Sequence, residues 1–173
     1  MTTIFRKLRQ KRYWDRTPWL GADDAQADTT KCLETKENKL SVFVLEEPEA
    51  QMERVVAALA LSRNNLAHLD LAIAPETVLE MCGIQGDKVQ AETPDSEVNE
   101  WHIDLVELTV TKIAELARTI KSEGEIKRYN LGYVKEAIQK SLNTNYILIE
   151  QIDEKLIQSL EKKGISIPSR NLS

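Results

Sequence analysis

Hydrophobic residues recur with strand or helix periodicity along most of the chain after residue 39. Leu40 to Leu45 is short, β-branched and aromatic, a composition that predicts a strand. Pro48 is typical of the first turn of a helix. Apolar residues then recur every three or four positions to residue 63, so that one side of this helix is apolar.

The next segment follows the same order. Polar and apolar residues alternate from His68 to Ile73, which predicts a second strand. Pro75 begins a helix that Gly83 ends. A strand, a helix and a strand at this spacing indicate two parallel neighbours joined by a right-handed crossover.

The C-terminal half shows helical periodicity almost throughout. It predicts three amphipathic helices, over residues 93–121, 130–142 and 146–163. Short connections between them favour antiparallel packing. The sequence therefore predicts a helix-dominated α+β fold, in which a small strand-helix-strand piece packs on an antiparallel three-helix layer.

Charge and composition divide the chain into four parts. These are a basic aromatic arm (1–20), an acidic linker poor in large apolar groups (21–38), a single compact domain (39–168) and a tail (169–173). The chain has 23 basic and 28 acidic residues and a net charge of -5. Because the arm is basic and the remainder acidic, the arm is a candidate docking segment.

Aromatic rings alternate with the cations of the arm. The candidate partner-binding residues are Arg9, Lys11, Arg12, Trp14, Arg16 and Trp19. Tryptophan and arginine often dominate the energetics of protein interfaces, which favours a protein partner. Two further interpretations stay open. The arm could bind nucleic acid or an anionic membrane surface, or it could fold back on the acidic body and bury Trp14 and Trp19.

Both histidines of the chain precede an aspartate by two positions. The pairs are His68 with Asp70 and His102 with Asp104. On two neighbouring strands, these side chains would present two imidazoles and two carboxylates to a metal ion that activates water. Positions i and i+2 diverge on a helix, however, and the periodicity assigns His102 and Asp104 to a helix. We therefore expect no metal site and retain the metal-dependent hydrolase only as an alternative.

Other chemistry lacks a motif in this sequence. The glycines form no phosphate-binding loop, and no nucleophile elbow or zinc-protease motif occurs. Cys32 and Cys82 lack metal-ligand spacing, and Cys82 lies in an apolar run typical of a buried thiol. No apolar stretch approaches the roughly 18 residues of a membrane span, and no signal-like apolar region follows the basic N-terminus. We expect a cytoplasmic protein that needs no cofactor.

These patterns favour a non-catalytic protein-interaction or regulatory module over an enzyme. A subunit of a bacterial complex is one form that such a module takes, and we expect its partner to be another protein. The first alternative is a nucleic-acid-binding accessory protein that uses the N-terminal arm. The second is a metal-dependent hydrolase that uses the two His-x-Asp pairs.

Overall fold

The structure is a computed structural model that describes residues 3–8, 11, 14, 27–33, 35–63 and 66–168. The chain divides into two compact units. Unit 1 comprises residues 1–48, 70–90 and 101–128, and unit 2 comprises residues 49–69, 91–100 and 129–173. The single domain expected over residues 39–168 stays a prediction.

A six-stranded sheet forms the centre of unit 1. Its strands are β1 (Thr3–Lys7), β2 (Leu40–Leu45), β3 (Leu69–Pro75), β4 (Gly86–Lys88), β5 (His102–Leu105) and β6 (Glu125–Tyr129). Their order across the sheet is β4-β5-β2-β1-β3-β6. From β4 to β3, each strand is antiparallel to the next.

Helices occupy much of the described chain between these strands and after them. They are α1 (Ala27–Cys32), α2 (Pro48–Leu61), α3 (Thr77–Met81), α4 (Ser96–Glu100), α5 (Val110–Glu123), α6 (Leu131–Asn143) and α7 (Glu154–Lys162). The molecule is therefore a helix-dominated α+β fold, as the sequence predicts. The strand over residues 40–45 and the beginning of α2 at Pro48 are also confirmed. No helix among the described residues combines the length and apolar composition needed to cross a membrane.

The core of unit 1 lies between the sheet and helices α1, α3 and α5. Alternation along the strands turns Val42, Ala72, Ala74 and Leu105 toward these helices, where they pack with residues such as Leu116 of α5. The neighbouring strand positions point to the opposite face of the sheet. The parity of a strand residue therefore decides which face carries its side chain.

The N-terminal segment differs most from its prediction as an arm. Residues 3–7 form β1, which lies between β2 and β3 and pairs with both. Phe5 is opposite Phe43 on one side and Ile73 on the other. The short strand-favouring run Thr3 to Phe5 is followed by basic residues, and the charge pattern alone predicts an exposed arm. Pairing on both sides satisfies the backbone hydrogen-bonding groups of this segment.

The insertion of β1 also changes the predicted strand-helix-strand piece. β2 and β3 run parallel to each other, because each is antiparallel to β1. They are not neighbours, since β1 lies between them. The piece is a split β-α-β unit rather than an adjacent parallel pair.

The helix predicted over residues 93–121 is wrong in its middle. The structure has α4, then β5, then α5 in this stretch. Ile103 and Leu105 fit a helical spacing, but they belong to β5 and pair with Val42 and Leu40 of β2. Pairing with a strand more than 50 residues away overrides the local periodicity. The chain then turns at Glu107, whose φ is 53°, before Thr109 caps α5.

The predicted acidic linker also contributes to the core. Residues 27–32 form α1, and Thr29, Cys32 and the following Leu33 are buried. The acidic composition of the segment predicts a solvated linker, whereas these few residues form a short helix with one buried side. Residues 21–26, like residues 169–173 of the predicted tail, lie outside the described part of the chain.

Side-chain and backbone caps mark the start of α6 and the end of α7 in unit 2. The Asn130 side chain accepts a hydrogen bond from the Tyr133 N–H and caps α6. Gly164, with φ of 80°, follows α7, and the Ile165 N–H donates to the Leu160 carbonyl at 3.0 Å. This is a Schellman arrangement. The last helix begins later than predicted, because Asp153 caps it at the Lys155 N–H.

The position of β1 predicts that residues 1–8 are essential for folding. Their removal is expected to abolish cooperative thermal unfolding, measured by far-ultraviolet circular dichroism, because β2 and β3 both lose a neighbour. Removal of residues 169–173 serves as the truncation control. An unchanged Tm after removal of residues 1–8 would contradict the central position of β1.

Candidate interaction surfaces

Of the six candidate partner-binding residues, the structure describes Lys11 and Trp14. These two differ in how deeply they are buried. Trp14 is 0% exposed and belongs to the core of unit 1. The Lys11 side chain is partly buried. Arg9, Arg12, Arg16 and Trp19 lie outside the described residues. Trp14 therefore offers no surface to a partner, and the interpretation in which the segment folds back and buries this ring is confirmed for Trp14.

Asp70 fixes the segment that follows β1. Its carboxylate, in a residue only 3% exposed, accepts hydrogen bonds from the Lys11 backbone N–H at 2.7 Å and from Arg128 Nε and Nη2 at 2.7 and 2.8 Å. The Leu8 N–H donates to the Asp70 carbonyl at 2.8 Å. Farther along, Lys121 of α5 donates to the Trp14 carbonyl. Asp70 is thus a structural anchor with paired charge.

His102 and Asp104 share a face of β5, which a helix would not allow. The His102 Nδ1 atom lies 2.7 Å from the Val89 carbonyl, and Nε2 lies 3.6 Å from Asp104 Oδ1. The Ser41 hydroxyl donates to the same Asp104 oxygen at 3.0 Å. The His102 ring packs edge-on against Phe43 with 5.3 Å between centroids. These contacts link β2, β5 and the segment after β4.

The structure does not bring the two His-x-Asp pairs together. Asp70 lies on β3 and His102 on β5, with β1 and β2 between them, a separation of about 14 Å at the usual strand spacing. Asp70 shares the helix-covered face with Ala72, whereas His102 and Asp104 alternate with Ile103 and so face the other way. His68 is exposed and precedes β3. No group of three possible ligands occurs among the described residues.

Cys82 is a buried thiol, as expected from the sequence. Burial raises the pKa of the Cys82 thiol above its ordinary value of 9.0, and the contact that it donates to Thr119 Oγ1 at 3.4 Å acts in the opposite direction. Because the thiolate is the reactive species, this environment suppresses nucleophilic chemistry.

Unit 2 carries a group of aromatic and charged side chains that sequence reasoning missed, and Tyr133, Lys140 and Tyr146 among them are exposed. We define the tyrosine surface as Glu53, Arg54, Tyr133, Lys140 and Tyr146. The Arg54 guanidinium lies 3.9 Å from the centroid of the Tyr146 ring, which is 45% exposed. The cation-π geometry holds this ring in one orientation.

Arg54 is itself held by two carboxylates. Its Nε and Nη2 atoms donate to the two oxygens of buried Asp95 at 2.9 and 2.7 Å, and Nη1 donates to Glu97 at 2.5 Å. Asp95 also accepts from the Glu97 and Val98 N–H groups at the beginning of α4. The aromatic contact thus rests on a guanidinium that hydrogen bonds have already oriented.

The second half of the tyrosine surface lies on α6. Lys140 forms an ion pair with Glu53, whose hydrogen bond and charge raise the pKa of the ammonium, with smaller contributions from Tyr133 and Tyr146. Burial and, next, the charge of Glu53 raise the pKa of the half-exposed Tyr133 phenol. Lys140 therefore lies near both tyrosines. Helical spacing places Tyr133 and Lys140 on one side of α6, but no sequence signal pairs Arg54 with Tyr146.

Two cavities complete the candidate sites. One of about 650 Å³ in unit 1 is lined by apolar residues, among them Leu33, Leu108 and Ile113, and by Thr30 and Thr109. The other, of about 430 Å³, lies along α7 in unit 2. Both volumes fall within the range of small-ligand sites.

Comparisons with models of protein families, with curated proteins and with solved structures gave no match. The geometry of the described residues is therefore the basis for assigning a function.

The contact of Asp70 with Arg128 predicts that Arg128→Ala and Arg128→Lys lower the free energy of unfolding by different amounts. Arg128→Ala is expected to lower the free energy of unfolding by about 3 kcal/mol, because a buried carboxylate loses its countercharge. Arg128→Lys should recover only part of this loss, since lysine cannot make the two-point contact. Urea unfolding measures both variants, with exposed Glu125→Ala on the same strand as the control. A loss within about 0.5 kcal/mol for Arg128→Ala would contradict the anchor.

The raised pKa of Cys82 predicts that the folded protein protects this thiol from alkylation. It also predicts that the contribution of Cys82 to stability depends on pH. In the folded protein at pH 8.5, iodoacetamide should alkylate Cys82 about tenfold more slowly than in urea, as followed by peptide mass spectrometry. Because folding favours the neutral thiol, its contribution to stability is present below the ordinary pKa of 9.0 and is lost as pH rises through the folded pKa. Cys82→Ala should therefore flatten the decline in stability above pH 9. Equal alkylation rates in the two states would refute the assignment.

Proposed function

We propose that this protein is a non-catalytic protein-interaction or regulatory module that binds a partner protein through the tyrosine surface. The carrying observation is the half-exposed Tyr146 ring stacked on an Arg54 that Asp95 and Glu97 hold. Tyrosine and arginine are enriched among the residues that dominate binding energy at protein interfaces. Side chains that are already oriented lose less conformational entropy on binding.

The charge of the tyrosine surface favours a protein over nucleic acid as the occupant. Both of its cations are paired, Arg54 with Asp95 and Glu97 and Lys140 with Glu53. Nucleic-acid affinity depends on cations that neutralise phosphates. A surface whose cations are already paired and which carries two phenol groups is better suited to apolar side chains and hydrogen-bonding groups of a polypeptide.

The remaining parts of the proposal come from the sequence. Two free, buried cysteines suit a reducing compartment, and on this basis we propose a cytoplasmic location.

Nucleic-acid binding by the N-terminal segment would now depend on Arg9, Arg12, Arg16 and Trp19. The metal-dependent hydrolase has less support than an interaction module, because Asp70 lies on the opposite face of the sheet from His102 and Asp104.

Interaction through the tyrosine surface can be tested with the full-length protein. Cross-linking in cells of the protein's own host should recover a partner bound to the unchanged protein. The same experiment with Tyr133→Ala/Tyr146→Ala is expected not to recover that partner. Titration with that partner, once purified, should show affinity lower by about 30-fold, or about 2 kcal/mol. Tyr146→Phe keeps the ring over Arg54 and should retain most of the affinity.

Control variants distinguish the effect of changing the tyrosine surface from the effect of removing any exposed apolar side chain. Met81→Ser removes an apolar side chain of unit 1 that is more exposed than either tyrosine, and it should leave the partner bound. Circular dichroism verifies that each variant is folded. The proposal fails if no partner distinguishes the double tyrosine variant from the unchanged protein, or if Met81→Ser loses the same partner.

A further inference from the structure

His102 is a buried imidazole whose two nitrogens have different roles. The residue is 6% exposed, and its Nδ1 atom lies 2.7 Å from the Val89 carbonyl oxygen. Because a carbonyl only accepts hydrogen bonds, Nδ1 carries a proton. The neutral ring then has its lone pair on Nε2. Metal-ligating histidines commonly have this arrangement, with the other ring nitrogen held by a backbone carbonyl.

The Asp104 carboxylate lies next to this lone pair. Its Oδ1 atom is 3.6 Å from His102 Nε2, which is too long for a hydrogen bond. Two atoms that bind one tetrahedral zinc ion at about 2.0–2.1 Å lie about 3.3 Å apart. The observed separation is thus close to that of two ligands of one ion. The Ser41 hydroxyl donates to the same oxygen at 3.0 Å and orients the carboxylate.

Asp87 of β4 supplies a second carboxylate at the same place. It is directly opposite Asp104 in the pairing of β4 with β5, so the two side chains share one face of the sheet, with Cβ atoms about 5 Å apart. Asp87 is exposed, and it has no hydrogen-bond or ion-pair partner among the described residues. Like charges directly opposite each other destabilise a sheet, and a cation between them removes the repulsion.

The imidazole and the two carboxylates together specify a ligand. We propose that His102, Asp104 and Asp87 bind one divalent metal ion of the kind that imidazole favours, such as Zn²⁺. A nitrogen ligand distinguishes this site from those of Ca²⁺ and Mg²⁺, which prefer oxygen ligands alone. The two carboxylates balance the charge of the ion. The site lies in unit 1 and shares no residue with the tyrosine surface, so the inference goes beyond the function proposed above.

Binding requires a change in one side chain. No group of three possible ligands is already assembled in the described part of the chain. His102 and Asp104 lie at ligand spacing, whereas Asp87 is on a strand of three exposed residues, where its side chain can change rotamer at little cost. A water molecule would complete a four-coordinate set. The sequence-based expectation of no metal site rested on a helix through His102 and Asp104, and the structure has β5 there.

Zn²⁺ itself is the probe for this site. Titration of the full-length protein in competition with a chromophoric zinc chelator should show one equivalent bound per chain. Saturating Zn²⁺ should raise the Tm, because the ion binds the folded state. In NMR spectra, the ring signals of His102 should shift with the first equivalent, while those of exposed His68 stay unchanged.

Single substitutions locate the site. Asp87→Asn and Asp104→Asn each remove a charged ligand and are expected to weaken Zn²⁺ binding by at least about tenfold. Asp87 is exposed on a short edge strand, so its substitution keeps the test independent of folding. His68→Gln removes the other histidine, and Glu76→Gln removes an exposed carboxylate of unit 1. Both controls should leave the affinity within about twofold.

Other outcomes overturn the inference. Absence of stoichiometric binding, or an affinity unchanged by Asp87→Asn and Asp104→Asn, would exclude this site. A loss of binding in His68→Gln, or a shift of the His68 ring in place of the His102 ring, would assign the ion to a surface histidine. Asp87→Asn leaves the tyrosine surface unchanged and should bind the partner protein normally, which separates failure here from failure of the proposed function.

Discussion

The carboxylate of Asp70 joins three segments of unit 1 that are distant in sequence. It accepts hydrogen bonds from the Lys11 backbone and from the Arg128 guanidinium, while the Asp70 carbonyl accepts from Leu8. No short hairpin connects β1 to either of its neighbours, so its place depends on ladder hydrogen bonds and on this anchor. Paired charge makes burial of the carboxylate tolerable. The burial of Trp14 follows, since the same anchor directs the segment onto the core.

The sequence predicts those elements whose signals are local. β2, α2 and α6 follow from periodicity and caps, and so does the Schellman end at Gly164. β5 could not be predicted in this way, because its residues also fit a helix and only the distant pairing with β2 decides between the two. β1 was not predicted, because the basic residues that follow it are typical of an exposed arm. Its central position becomes evident only when both neighbouring strands are known.

The candidate sites show the same division between local and long-range information. The basic charge of the N-terminal segment led to the prediction that Trp14 binds a partner, but the Trp14 ring is buried. The stack of Arg54 on Tyr146 joins residues from α2 and from the segment after α6, and no spacing rule connects them. The cavity along α7 is partly predictable from the sequence, since Glu154, Ile157 and Glu161 share a helical face. The walls from Ile149 and Ile167 require the folded chain.

The central place of β1 sets the order in which the protein can be assembled on a ribosome. β1 is translated before the other described strands, yet its pairing with β3 needs residues up to position 75. Until then this strand has unpaired edges, and the emerging chain must keep it from associating with other polypeptides. Closing so long a loop is also slow compared with forming the helices. A strand that is translated before its neighbours is thus among the last to be paired on both edges.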